Sequence, residues 1–275
     1  MPYFESPVDG VRLHYVDHGP ADGPVIVFVT SAWLGSEMWE FQMLPLTKAG
    51  YRCVSMDRRG HGRSDDVWGG FDLDTLADDL HGILDHLDLR EVTFVGHSVG
   101  TAEIVRCLTR HGDDRVARVA LVSGIAPGVV RTADNPDGVD PADALAANEV
   151  FRKDRAGFYE ANADAFFGVG LPGVEVSPAY VRHVINRCLT TSPHASYAIQ
   201  EVVVGVDLAA EMPKLALPVL VVHGTHDVSA PLEVSGARSA RLVPDATLKV
   251  YENAAHGLLF THPDRLNADL REFMA

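Results

Sequence analysis

The chain has 275 residues, of which 47% are hydrophobic, and its 23 Lys and Arg against 38 Asp and Glu leave a net charge of −15. That length and apolar content suit one domain with a sizeable core and exclude a disordered chain. The acidity disfavours nucleic acid and anionic membranes as partners, and no apolar run is long enough to span a bilayer.

The first residues, Met1-Pro2-Tyr3-Phe4-Glu5, carry neither a basic nor an apolar stretch, so no signal peptide is expected. Residues 11–16 alternate in character, as an edge hairpin strand does. A continuous β-branched run at 25–29 and further, mostly apolar runs at 51–56, 91–95, 116–122, 218–222 and 246–251 follow. Each suits a strand buried on both faces of a parallel sheet. Between them lie helical stretches at 72–87, 101–110, 231–240 and 264–274. In the first of these, Leu73, Leu76, Leu80, Ile83, Leu84 and Leu87 share one face. Strands alternating with helices predict an α/β fold with a mostly parallel sheet covered on both sides.

Residues 125–212 break that alternation. They hold helical pieces at 141–147, 154–167, 178–189 and 196–204, punctuated by Gly and Pro. They read as a helical cap inserted after the fourth central strand, with 1–124 and 213–275 forming the core. Three widely spaced cysteines, Cys53, Cys107 and Cys188, make no disulfide framework and point to a reducing, cytoplasmic compartment.

Gly96-His97-Ser98-Val99-Gly100 fits G-x-S-x-G, with a buried strand before it and a helix after it. A strand that turns sharply into a helix strains its middle residue and lifts it to the helix N-terminus, where free N–H groups favour negative charge. Serine needs a base to take its proton. The expected chain order Ser, acid, His picks out Asp227 and His256, each just past a strand, from a chain with 13 histidines. His226 reads as a loop residue supporting Asp227. His223-x-x-His226-Asp227 lacks a further ligand at metal spacing, so no metal is expected.

Asp57 begins Asp57-Arg58-Arg59-Gly60-His61-Gly62-Arg63-Ser64, and its expected role is to tie that Gly-rich loop. The loop lacks the Lys-Ser/Thr ending of a phosphate-binding loop. Acyl transfer also needs two N–H donors for a developing oxyanion. These are expected from Val99 and from the loop Thr30-Ser31-Ala32-Trp33, at Ala32.

With these residues in view, the chain resembles the cofactor-free bacterial haloperoxidases and their esterase and perhydrolase relatives, within the α/β-hydrolase superfamily. The likeness rests on residues 56–64 and 96–100, on Leu76-Ala77-Asp78-Asp79-Leu80, and on Thr132-Ala133-Asp134-Asn135-Pro136-Asp137-Gly138. His256-Gly257-Leu258, Thr261-His262 and Arg265-Leu266-Asn267-Ala268-Asp269-Leu270 extend it. It implies an α/β-hydrolase fold, the triad Ser98, Asp227 and His256, and no cofactor, metal or haem.

Two departures stand out. Thr30-Ser31-Ala32-Trp33 replaces the family's His-Gly-Trp-Pro, and Trp33 in place of Pro counts against peroxide chemistry. Thr101 and Ala102 follow Gly100 where the family often runs further glycines.

The expected activity is hydrolysis of a small, largely apolar ester or lactone through an acyl-enzyme, with Trp33, Val228 and Leu258 flanking the substrate. Aromatic residues of the cap, among them Phe151, Phe158, Tyr159, Phe166 and Phe167, divide between core and pocket lining. Alternatives are perhydrolase or haloperoxidase-like activity, carbon–carbon bond hydrolysis, non-hydrolytic use of the triad, and a ligand-sensing module on the same fold. Ser at position 98 excludes an Asp-nucleophile dehalogenase or epoxide hydrolase. Homo-oligomer formation stays open.

Overall fold

A computed structural model describes all residues, 1–275. Eight strands form one sheet: β1 (Tyr3–Glu5), β2 (Arg12–His18), β3 (Val25–Val29), β4 (Arg52–Met56), β5 (Val92–His97), β6 (Val116–Val122), β7 (Val219–Gly224) and β8 (Ala246–Tyr251). Their spatial order is β1-β2-β4-β3-β5-β6-β7-β8. The β1–β2 and β2–β4 pairings are antiparallel, and β3 to β8 run parallel. The chain leaves β3 toward β4 on one side, then returns to β5 on the other. The C-terminal ends of β3 and β5 therefore meet at the switch point, where open α/β sheets leave a ligand crevice.

The apolar runs explain the layers. Along β3, Val27 and Val29 join the cluster that holds Leu76, Leu80 and Ile104, while Ile26 and Phe28 join the one that holds Trp39, Met43 and Leu266. One face is thus covered by α2 (Leu73–His86) and α3 (Val99–His111), and the other by α1 (Glu40–Lys48) and α10 (Pro263–Met274). Asp72 caps α2 by accepting from Thr75 N at 3.0 Å. Leu80 is fully buried in the first cluster. Leu80→Ala is expected to lower the unfolding free energy by about 2–5 kcal/mol through lost burial and a residual cavity. A urea titration would show this as a lower midpoint at unchanged slope.

Four helices lie between β6 and β7: α4 (Pro141–Lys153), α5 (Arg155–Phe167), α6 (Pro178–Thr190) and α7 (Pro193–Gly205). The short α8 (Gly236–Leu242) and α9 (Leu258–Thr261) complete the set. Three of the four helices between β6 and β7, and α10, begin on a proline, whose fixed φ and missing N–H suit the first helical position.

Several boundaries differ from the sequence-based expectation. α7 begins at Pro193 rather than 196, and α4 continues to Lys153 rather than 147. The helix expected at 231–240 starts only at Gly236, because Val234 N and Ser235 N close a turn on the Pro231 carbonyl. β1 and α1 had no expectation. β1 has only three residues, and α1 contains Pro45 and lacks a clear apolar stripe.

Candidate active site

Ser98 sits between β5 and α3 at φ 55° and ψ −121°, a left-handed backbone for a non-glycine residue. The neighbouring glycines permit the turn. A Cβ on Gly100 would stand 2.6 Å from the Val29 carbonyl oxygen, and one on Gly96 2.6 Å from Ile104 Cδ1. Thr101, where a further glycine was the family habit, reinforces the turn: its hydroxyl donates to the Ser98 carbonyl at 2.6 Å and accepts from Ala126 N at 3.3 Å. Val99 is the first residue of α3, so its N–H has no partner within the helix.

Asp227 follows β7 and His256 follows β8. His256 Nδ1 and Asp227 Oδ2 are 2.8 Å apart. Asp227 Oδ1 accepts from Ser229 N at 3.0 Å and Ala230 N at 2.8 Å. Burial alone would raise the Asp227 carboxyl, but the facing charge of His256 and hydrogen bonds from His223 and His256 outweigh it, and the net shift is downward. The carboxylate therefore stays ionised, and Nδ1 of His256 carries the proton. Ser98 and His256 both border one cavity of about 330 Å³. Ser98 Oγ has no hydrogen bond within the protein, so a rotation of this small side chain is what would bring it to Nε2.

The second residue on Asp227 is His223, not His226. His223 Nε2–H donates to the Ala230 carbonyl at 2.7 Å and lies 3.2 Å from Asp227 Oδ2. His226 is exposed and pairs with the Thr225 hydroxyl instead. The cause is the strand alternation. His223 is still within β7 and points into the protein, whereas His226 lies on the loop. His97, the residue before Ser98, donates from Nε2 to the His256 carbonyl at 2.9 Å. The motif itself contained that signal, but its helper role was not read from the sequence.

Ala32 lies in the loop after β3, and its N–H has no acceptor within the protein. Beside it, Trp33 has φ 64°. The Trp33 indole N–H donates to the Ser196 carbonyl at 3.2 Å, and its own carbonyl accepts from the Thr191 hydroxyl at 2.7 Å. Its ring lies 5.2 Å from that of Phe151 and 5.1 Å from that of Tyr159. The residue that departs from the family thus fastens this loop to the helices above it.

Of the 21 residues lining the cavity, 15 are hydrophobic, so it favours an apolar ligand. Trp33 and Val228 line it, Val228 with 67% of its surface exposed. Leu258 does not. It is fully buried at the start of α9 and packs into the core, because the first turn of that helix faces inward. Phe158, Tyr159, Phe166 and Phe167 reach the cavity, while Phe151 stands behind Trp33. Cys188 also lines it, but burial pushes its thiol up to about 12, so it is a protonated thiol and no rival nucleophile.

Asp57 ties the Gly-rich loop as expected, accepting from Ser36 N at 2.6 Å and Arg63 N at 2.9 Å.

Buried histidines near the site make stability depend on pH. Burial, then the like charge of His256, pushes His97 down to about 3. Burial, then Arg58, does the same to His61. The unfolded imidazoles take up protons as pH falls through 6.5, whereas the folded ones do so only near 3. Their contribution to stability is therefore greatest above 6.5 and falls on acidification, by about 1.4 kcal/mol per pH unit for each histidine, while Glu103, which burial pushes up to about 7, opposes it. Urea unfolding at pH 7 and pH 5 should differ by roughly 4 kcal/mol from these two residues. A His61→Gln variant should lose about half of this histidine contribution, and an unchanged pH dependence in that variant would contradict this.

A mostly parallel sheet, with a serine on a strained turn after one strand and an acid and a histidine after the last two, defines the architecture of an α/β hydrolase. Comparison with known proteins agrees. The family profile for the alpha/beta hydrolase fold matches residues 24–263. The chain is 36% identical over 268 residues to a non-heme chloroperoxidase of Kitasatospora aureofaciens, covering 97% of each. It is 36% identical, with the same coverage, to a bifunctional esterase/perhydrolase of Acinetobacter calcoaceticus. The crystal structure of a bromoperoxidase from Bacillus anthracis superposes with a TM-score of 0.93 at 29% identity, covering 99% of both chains. The chain belongs to the α/β-hydrolase family, among the non-heme haloperoxidases and esterase/perhydrolases.

Proposed function

We propose that this protein is a serine hydrolase cleaving carboxylic ester or lactone bonds of a small, largely apolar substrate through an acyl-enzyme. The observation that carries the reading is Ser98, strained at the head of α3 and sharing one cavity with a His256 whose far nitrogen is 2.8 Å from Asp227. Ser98 Oγ attacks the carbonyl carbon while His256 Nε2 takes its proton. The carbonyl oxygen becomes an anion held by the N–H groups of Ala32 and Val99. His256 then gives the proton to the leaving alkoxide as the C–O bond breaks. Water, deprotonated by His256, attacks the acyl-enzyme, and the acid departs as Ser98 regains its proton.

Residues 125–212 act as a cap over the cavity, and Trp33 and Val228 contact the substrate. A volume of about 330 Å³ lies at the small end of ligand pockets, which supports short or medium acyl groups. A series of p-nitrophenyl esters from acetate to dodecanoate tests this: kcat/KM should peak at short or medium length and fall beyond it. A flat series at the background rate would refute the reading. Trp33 closes one wall of the cavity, so Trp33→Ala should move the optimum to longer chains. The ratio of octanoate to acetate kcat/KM should rise about tenfold or more, the worth of one or two accommodated methylenes.

A second reading is favoured by one finding, the 36% identity to a bifunctional esterase/perhydrolase. Peracid formation from acetic acid and hydrogen peroxide tests it. The bulky Trp33 in the oxyanion loop supports a rate close to the uncatalysed one.

A further inference from the structure

The two N–H donors of the site come from different parts of the fold. Val99 belongs to α3, a rigid element, whereas Ala32 belongs to an irregular loop outside the sheet ladder. A buried ion pair joins them. Arg58, just past β4, donates from Nε to Glu103 Oε1 at 2.7 Å. Nη2, which also lies 2.5 Å from Glu103 Oε1, donates to the Thr30 carbonyl at 2.9 Å, and Nη1 donates to the Ser31 carbonyl at 3.0 Å. Glu103 is one turn beyond Val99 on α3, and both charged side chains are 1% exposed.

We infer that Arg58 and Glu103 are positioning residues that set the distance between the Ala32 and Val99 oxyanion donors. The inference rests on the reading of Ser98 as nucleophile with those two N–H groups facing its oxyanion. Every nitrogen of the guanidinium is engaged, and only a planar fork reaches a carboxylate and two consecutive carbonyls at once. Taking up the Ser31 carbonyl orients the peptide that it shares with Ala32, whose N–H points the opposite way in the planar trans unit and has no acceptor within the protein. The Ser31 N–H is turned the other way, to Met38 Sδ at 3.1 Å.

Stability does not explain such a pair, because well-packed apolar residues in place of a buried ion pair are often as stable or more so. Its position does. It spans from the helix that begins at one donor to the residues directly before the other. The pair hydrogen-bonds to no cavity residue other than Ser31, so its effect falls on the geometry of the oxyanion pocket and not on the apolar walls.

The test compares Arg58→Lys and the double variant Arg58→Met/Glu103→Leu on p-nitrophenyl acetate, with Ser98→Ala run beside them. In both, kcat should fall about 10- to 100-fold with KM within about threefold of wild type, as for loss or misplacement of an oxyanion donor. The affinity of a phenylboronic acid, which becomes tetrahedral on a serine, should weaken by the same factor as kcat. The double variant should fold with a lower Tm, because the Thr30 and Ser31 carbonyls lose their donors although apolar groups fill the space. Should the double variant not fold, Arg58→Lys carries the comparison, and Glu103→Gln, which keeps size and an acceptor for Nε, should stay near wild type. Wild-type kcat in the double variant or in Arg58→Lys would overturn the inference. So would a kcat loss that leaves boronate affinity unchanged, since that marks a merely structural role. A Ser98→Ala protein as active as wild type would instead overturn the reading of the site itself.

Discussion

Ser98→Ala is expected to lower kcat for ester hydrolysis by about 10⁴–10⁶ while leaving the fold intact. The variant removes one oxygen and nothing else. Alanine has the same Cβ as serine, so the strained backbone at φ 55° acquires no new contact. Ser98 Oγ makes no hydrogen bond within the protein, so no buried partner is left unsatisfied. The apolar cavity persists, and KM should change little. What disappears is the covalent route, leaving water to attack a bound carbonyl with only the oxyanion donors to assist. Steady-state hydrolysis of p-nitrophenyl acetate, with Tm measured alongside, checks both halves. A loss of less than tenfold at unchanged Tm would remove Ser98 from the mechanism.

Asp227→Asn is expected to lower kcat by about 10⁴, for a reason of geometry rather than charge alone. One carboxylate oxygen accepts from the backbone N–H groups of Ser229 and Ala230, and the other faces His256 Nδ1. An asparagine in the same place must turn its oxygen toward those two N–H donors. Its amide N–H₂ then faces His256 Nδ1, which has to accept. The imidazole proton moves to Nε2, and the nitrogen beside Ser98 can no longer take the serine proton. The Asp227 carboxyl is held below its ordinary 3.8, so in the wild type this residue stays ionised on acidification well past neutrality. The measurement is a kcat–pH profile of Asp227→Asn. Depressed rates across the neutral range with nearly unchanged KM are expected, and a rate within tenfold of wild type would contradict the tautomer argument.

The parallel sheet could be read directly because its central strands, β3, β5 and β7 above all, are predominantly apolar and buried on both faces. The same reading missed β1, which is three residues long, and α1, where Pro45 and mixed burial leave no stripe. Four helix starts were marked by proline, yet Pro193 and Pro263 were passed over in favour of later residues.

The site was legible where its residues fall at strand ends. Ser98, Asp227 and His256 each follow a strand, and the fold gathers strand ends at one edge of the sheet. What the sequence did not disclose depends on side-chain direction. His226 is adjacent to Asp227 in the chain and His223 lies four residues before it, but only His223, still in β7, reaches the carboxylate. Leu258 stands two residues after His256 and points away from the cavity, because α9 begins there. The Arg58–Glu103 pair spans 45 residues of chain and carries no local pattern at all.

The most direct test is covalent capture. Incubation with a fluorophosphonate should add one label per chain, abolish ester hydrolysis in proportion to labelling, and place the adduct on Ser98 in the peptide mass map. Ser98→Ala should take up none. Inactivation with the label on another residue, or full ester hydrolysis in a chain labelled at Ser98, would contradict a Ser98 acyl-enzyme.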